Sequence, residues 1–336
     1  MRYLSKLRVY SIPATRSWRR CRMIVSMAES NPALREAYQR HERRWADNLF
    51  VYAVVSRRSH GVSVGINLNP GKECNFNCVY CQVDRLVPPR VRKVELEPLA
   101  LELDAVLQAA ADGSLYSAPP FNAIPMGERQ VRDIAFSGDG EPTTYPRFKE
   151  AVEIAAAART RFGLDATKIV LITNAAYLAK PAVREGLAVL DQNNGEIWAK
   201  LDAGTDEYLQ LIDRPNVSIE QVRESILDAA RRRPVVIQTL FVRANGESIP
   251  DREVAAYCDR VNEILAAGGQ IKGLQLHTIA RKPAEPTVTA LADDELDRLA
   301  NFVRARVRVP IETFYGAGSE LTQRSRERTM RSRNRR

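Results

Sequence analysis

The chain has 336 residues, 45% of them hydrophobic and 27% charged, with a formal net charge of +9. That length exceeds the usual single-domain mode, although α/β barrels reach it as one domain. No run approaches the ~18 uncharged apolar residues of a membrane span, and five cysteines are too sparse for a disulfide-stapled secreted fold. The expectation is a monomeric, cytoplasmic protein with no membrane partner.

The positive charge is concentrated at the two ends. Residues 1–26 carry seven Lys/Arg and no acid, and residues 324–336 carry seven Arg against one Glu, which leaves 27–323 at −4. The first stretch reads as a basic extension ahead of the fold, with Met27 or Met23 as the translation start; it lacks the sustained apolar run of a secretion signal. Residues 317–336 read as an Arg-rich disordered tail, a kind of block that can bind RNA through its phosphates.

Residues 27–55 read as an N-terminal helix and linker. Asn31 and Pro32 occupy cap and first-turn positions, and the helix is expected to run to about Trp45. After a linker around Ser56–His60, short apolar runs at 61–68, 133–137, 168–173, 196–202, 234–242 and 271–279 read as buried parallel strands. Helical periods fill the gaps at about 97–111, 146–161, 181–190, 218–232, 250–266 and 292–306, the 250 helix opening on Ser248, Pro250 and Asp251. Six β-α units with right-handed crossovers give a partial (β/α)6 TIM-type barrel of parallel strands over 56–316, with 309–315 as an added edge strand. Such a barrel carries its site on the loops after the strand C-termini.

The loop after the first strand holds Cys74, Cys78 and Cys81 in the run Cys-Asn-Phe-Asn-Cys-Val-Tyr-Cys. Thiolates spaced four and three apart can bind three irons of a cubane cluster and leave the fourth without a protein ligand. Structural zinc, the alternative, needs a fourth donor. Cys258 and His277 lie far downstream, and His60 lies upstream among basic residues. Cys258 falls on the stripe Val254, Cys258, Val261 and Leu265 and reads as core, while Cys21 lies in the basic extension.

The second strand runs into Gly138-Asp139-Gly140-Glu141, where glycines admit close backbone approach to a ligand and a carboxylate suits an ammonium. Asn174 ends strand three. Lys200 and Asp202 share one side of strand four, as ligand contacts or as an internal ion pair. Gln238 and Thr239 end strand five, and His277 ends strand six, followed by Thr278 and Arg281. Lys200 and His277 are the candidate catalytic residues. Asp213-Arg214-Pro215 and Arg281-Lys282-Pro283-Ala284 add cations to this face, either to hold an acidic substrate or to shape loops through salt bridges.

The C-x3-C-x-aromatic-C form, with Tyr80 before the last cysteine, resembles the radical S-adenosylmethionine (SAM) superfamily. The Gly-Asp-Gly-Glu turn, one residue longer than the family's Gly-Gly-Glu, resembles a subgroup within it: the wyosine-forming tRNA enzymes and their uncharacterised bacterial relatives. The resemblance implies a [4Fe-4S] cluster on Cys74, Cys78 and Cys81, with SAM chelating the open iron. Reductive cleavage of SAM would then give a 5′-deoxyadenosyl radical that abstracts hydrogen from a substrate. It also implies SAM contacts from Tyr80, Gly138, Asp139, Gly140, Glu141, Asn174, Lys200, Asp202 and Gln238. The wyosine-forming enzymes bind a second cluster through cysteines ahead of this loop. Only Cys21 lies there, so a single-cluster enzyme is expected, and wyosine formation is not. RNA or a nucleotide is the substrate class suggested, with a one-electron donor such as flavodoxin or ferredoxin as partner. Two alternatives stand beside it: an activase or modifier of a protein or peptide, and a zinc-dependent nucleic-acid-binding protein without catalysis. The latter would leave the glycine turn and the strand-end polar residues without a purpose.

Overall fold

The computed structural model describes residues 32–39 and 45–316; the basic extension with Cys21 and the Arg-rich tail lie outside the described residues. Helix α1 (Pro32–Gln39) precedes strands β1 (Val51–Ser56) and β2 (Gly61–Ile66). Then follow α2 (Leu96–Ala111), β3 (Val131–Phe136), α3 (Phe148–Arg161), β4 (Lys168–Thr173), α4 (Pro181–Asp191) and β5 (Gly195–Lys200). The C-terminal half contains α5 (Asp206–Ile212), α6 (Ile219–Arg232), β6 (Val235–Leu240), β7 (Val242–Ala244) and α7 (Asp251–Ala266). It ends with β8 (Ile271–His277), β9 (Val288–Ala290), α8 (Asp293–Arg304) and β10 (Ile311–Phe314).

Eight strands form one sheet in the order β1-β2-β3-β4-β5-β6-β8-β10, and β7 pairs separately with β9. Every neighbour from β2 to β10 is parallel, so the six expected parallel strands and the edge strand are present and curl as a partial TIM-type barrel. The strand bounds differ in places. The run read as 196–202 stops at Lys200, and the run read as 234–242 is broken at Phe241 into β6 and β7. Helix α7 begins at Asp251 with Pro250 in the cap position, and the Ser248 hydroxyl caps nothing.

The segment expected as linker contains β1, which is antiparallel to β2. Four residues separate the two strands, and a parallel pairing would need a crossover of about a dozen. Three backbone N–H groups at the entry to β1, those of Leu49, Phe50 and Val51, donate to the Glu102 carboxylate of α2 at 2.8, 2.8 and 2.9 Å. The far edge is approached through side chains. Arg57 donates to the Tyr315 carbonyl, and His60 Nε2 lies 4.0 Å from Glu312 Oε1.

Alternation along each strand separates two interiors. One set, including Val64, Ile66, Ile134, Phe136, Ile169, Leu171 and Ile237, joins the helix stripes in a continuous apolar core. On α2 that stripe is Leu99, Leu103, Val106 and Leu107, and α6 opens on a capping box between Ser218 and Gln221. The other set faces the barrel axis and is largely polar. Near the strand N-termini Glu196 accepts from Lys168 (3.0 Å), from Lys272 and from Trp198 Nε1 (2.7 Å), plugging that end. Ala135, Val170, Trp198 and Val236 form a small apolar layer beside it. Gly65 leaves room for the Tyr52 ring opposite, since a Cβ there would lie 2.2 Å from it. No helix among the described residues is long and apolar enough to cross a membrane.

Because Glu102 orders the entry to β1 through three charge-assisted bonds, Glu102→Ala should lower unfolding free energy by about 2–3 kcal/mol in a urea titration. A change below about 0.5 kcal/mol would show that β1 pairs with β2 without that anchor.

Candidate active site

A cavity of about 300 Å³ lies inside the barrel, reaching from the cysteine loop and the strand C-termini down to Asp133 and Trp198. Cys74, Cys78 and Cys81 all line it as half-buried free thiols. Cys258 is buried on α7 in the apolar core, as its stripe suggested.

The loop carrying the three thiols has no ladder of its own and is held by other segments. Asn77 N donates to the Asp213 carbonyl at 3.0 Å and Val79 N to the Ile212 carbonyl at 2.8 Å. Ala284 N donates to the Cys81 carbonyl at 2.9 Å, and Arg214 makes a two-pronged ion pair with Glu285. The Asp213-Arg214-Pro215 segment and Ala284 therefore shape the loop. Arg281, by contrast, lines the cavity and donates to the Tyr38 carbonyl at 3.4 Å.

Tyr80 joins the loop to the barrel wall. Its hydroxyl bonds Asp202 and, at 2.7 Å, Asp213, and it accepts from Lys200 Nζ. Lys200 and Asp202 form an ion pair at 3.3 Å, and Asp202 also accepts from Leu240 N at 2.6 Å. Asp202 thus lies behind Tyr80, 1% exposed and outside the cavity lining, while Lys200 lines it. Thr239 is likewise buried, bonded to Tyr257 and to the Leu201 carbonyl. Burial works to lower the Lys200 ammonium, but Asp202, Cys78 and Asp213 outweigh it and hold it above the usual lysine value. Asp213 is pushed up to about 7 by burial and then by Asp202. One hydroxyl proton cannot serve two carboxylates, and a proton on Asp213 relieves that conflict.

Burial also raises the Cys74 thiol, and raises Cys78 further with Asp213 adding to it. Thiolate coordination would reverse that, since a bound metal drives the proton off. Among the described residues no three or more His, Cys, Asp or Glu side chains converge as a site for one ion. A thiolate triad serving three separate irons need not converge on one point. Buried Asn75 Nδ2, next to Cys74 in sequence, has no acceptor, although Asn75 lies beside the cavity rather than on its lining. The residues present fit an iron–sulfur cubane with one open iron.

The turn at 138–141 packs against the same loop. A Cβ on Gly140 would come within 1.8 Å of the Glu73 carbonyl oxygen, to which Glu141 N donates at 3.2 Å, so glycine is needed there for the turn to meet the loop. Asp139 accepts from Asn67 Nδ2 at 2.8 Å. Glu141 is 3% exposed. Its Oε1 accepts from Thr143 N (3.1 Å), Thr143 Oγ1 (2.6 Å) and Thr173 Oγ1 (2.6 Å), and its Oε2 from Asn174 N (2.8 Å). Asn174 in turn donates from Nδ2 to Asn75 Oδ1 at 2.8 Å. Gly138, Asp139, Gly140, Glu141 and Asn174 all line the cavity. Much of what Glu141 does is to tie strand ends β3 and β4 together.

Gln238 and His277 complete the wall on β6 and β8, with Gln238 Nε2 donating to Gln275 Oε1 at 2.7 Å. Burial, and then Arg58, hold the His277 imidazole well below its usual range, so it is neutral. Arg57, Arg58, Asp133 and Trp198 also line the cavity and went unread in the sequence. Carrying the Lys200–Asp202 alternation back along β5 would have turned Trp198 inward as well.

Glu141→Gln places an amide NH2 against protein donors. It should cost about 1–3 kcal/mol of stability in a urea titration of the full chain. Unchanged stability would mean that the carboxylate is not held as these bonds indicate.

Comparison with known proteins bears on this geometry. A UPF0026 protein of Helicobacter pylori is 23% identical over 257 residues, covering 75% of this chain and 73% of that protein. GTPase Obg of Brachyspira hyodysenteriae is 23% identical over 269 residues, covering 77% of this chain; the chain spans 34% of that longer protein. A solved structure described as TYW1 with a lysine-pyruvate adduct bound aligns with a TM-score of 0.48 at 14% identity, covering 88% of this chain and 90% of that one. Residues 68–256 match the family model described as the Radical SAM superfamily, a span that contains the three cysteines, the glycine turn and β3 to β6. The chain belongs to the radical SAM superfamily.

Proposed function

We propose that the protein is a single-cluster radical SAM enzyme that abstracts hydrogen from a substrate held inside the barrel. The observation that carries this is one loop presenting Cys74, Cys78 and Cys81 to a cavity shared with the glycine turn and the strand-end polar residues. When bound, a [4Fe-4S] cluster and SAM together supply one-electron cleavage of the SAM C5′–S bond and a deoxyadenosyl group that takes the hydrogen.

The residues divide the work by position. Cys74, Cys78 and Cys81 would hold the cluster. Gly138, Asp139, Gly140 and Glu141 receive the SAM amino end, Glu141 through the lone pairs left on Oε2. Lys200, Asn174 and Gln238 meet the remaining polar groups of SAM. Tyr80 and Asp202 act through the loop and through Lys200. A cavity of about 300 Å³ is at the small end of ligand pockets. The same cavity must also take SAM, so its walls suit a small molecule or a single extruded nucleotide lying beside SAM more than a folded protein segment. The electron comes from a small carrier such as flavodoxin or ferredoxin.

Protein purified and reconstituted without oxygen should hold about four irons and four sulfides per chain. Cys74→Ala, Cys78→Ala and Cys81→Ala should each remove nearly all of it, and Cys258→Ala should not. With dithionite and SAM, the unaltered protein should release 5′-deoxyadenosine and each of the three loop variants should not. Stoichiometric zinc without sulfide, or iron retained in all three variants, would overturn the reading.

A further inference from the structure

The floor of the cavity is built differently from its mouth. Trp198 is fixed there by its indole N–H, which donates to Glu196 at 2.7 Å, and the Arg58 guanidinium carbon lies 5.3 Å from the centre of its ring. A guanidinium over an indole face is held by cation–π attraction, which uses none of its N–H donors. Among the described residues nothing hydrogen-bonds or ion-pairs with that guanidinium. Its nearest influences are electrostatic: Asp133 and then Tyr52 favour the charged form, and Arg58 in turn disfavours it on Arg57. Burial lowers Arg58, and burial and then Arg58 lower Arg57 to about 10; an arginine guanidinium stays protonated in proteins at neutral pH.

Asp133 does not neutralise this pair. It is a single carboxylate, 3% exposed, and it is already bonded by the Ser63 hydroxyl. Arg57 donates to the Tyr315 carbonyl, which contributes no formal charge. His277 on the same wall is neutral. Two guanidiniums with the Lys168 and Lys272 ammoniums, against the Asp133 and Glu196 carboxylates, leave this end of the cavity net positive, with an unused set of Arg58 donors.

Depth separates this floor from the mouth. Trp198 is two residues below Lys200 at the end of β5, and Asp133 is four residues below Ser137. At about 3.3 Å per residue, Trp198 and Asp133 lie roughly 7–13 Å below the strand ends, while Arg57 reaches the Tyr315 carbonyl just past the end of β10. A ligand bridging both would be a small molecule with an acidic group at its inner end. An RNA backbone would keep its phosphates outside the barrel.

We propose that Arg58, held over Trp198 with Arg57 beside it, anchors the carboxylate or phosphate of a small acidic substrate inside the barrel. This rests on the reading of the barrel as a substrate chamber, but its test needs no SAM cleavage. Full-length reconstituted protein, without reductant, is dialysed to equilibrium against labelled inorganic phosphate and, separately, labelled acetate. At least one anion should bind, and the better one identifies the acid group. Arg58→Met should weaken that binding about tenfold or more, Arg58→Lys should retain part of it, and Arg223→Gln on the outer helix α6 should leave it unchanged. Binding should shift the tryptophan emission of the unaltered protein, and the shift should vanish in Trp198→Phe, which keeps the test open if Arg58→Met does not fold. Saturating SAM should leave the anion in place. Absence of binding to either anion, binding unchanged in Arg58→Met or an emission shift that survives in Trp198→Phe would overturn the proposal. Full displacement by SAM would also overturn it, because the donors would then belong to the SAM carboxylate.

Discussion

A loop without its own ladder cannot hold three thiols in register, so its geometry must be imposed by the segments around it. Here that constraint centres on the Tyr80 hydroxyl, which meets Asp202, Asp213 and Lys200 beneath the loop. Lys200 comes from the end of β5, Asp202 from just beyond it and Asp213 from the end of α5. The loop is therefore referenced to the barrel frame rather than to its own flexible flanks. The backbone bonds to Ile212, Asp213 and Ala284 repeat the same strategy at the main chain. The cost of gathering two carboxylates is reduced by the lysine and by the raised proton affinity of Asp213.

The barrel interior follows from that arrangement. A TIM-type barrel usually fills its centre with branched apolar side chains. This one carries only a thin apolar layer around Trp198 and charged groups on either side of it. The fold is instead stabilised by the large apolar shell between sheet and helices, which leaves the axis available for chemistry. Charged residues inside are tolerated because most are paired: Glu196 with two lysines, Asp202 with Lys200, Glu141 with four donors. Arg58 departs from that pattern.

Much of the architecture was legible in the sequence because its signals are local. Apolar runs such as Ile134–Phe136 and Ile169–Ile172 mark strands, and the 3.6-residue stripes mark the helices packed on them. The cysteine spacing was legible for the same reason. β1 was hidden because its partner is set by the short turn after it, and because its entry is ordered by Glu102, some fifty residues away. Asp202 was read either as a ligand contact or as half of an internal ion pair with Lys200, and the structure shows that pair, set behind Tyr80; alternation gave its side of the strand but could not say what would cover it. The tie that Glu141 makes between β3 and β4 was invisible because Thr173 and Asn174 reach it only after the two strands pair. Arg57 and Arg58 fell within the stretch read as a linker, and only curling of the sheet brings Arg58 over Trp198.

The central claim is that the thiolate triad leaves one iron open and that SAM binds there through its amino acid end. Electron paramagnetic resonance of the anaerobically reduced, reconstituted protein tests it most directly, using SAM labelled with nitrogen-15 at the amino group. The account predicts that SAM alters the cluster signal and that the label produces a nitrogen-15 hyperfine coupling. A cluster signal unchanged by saturating SAM, with no coupling to the label, would contradict it.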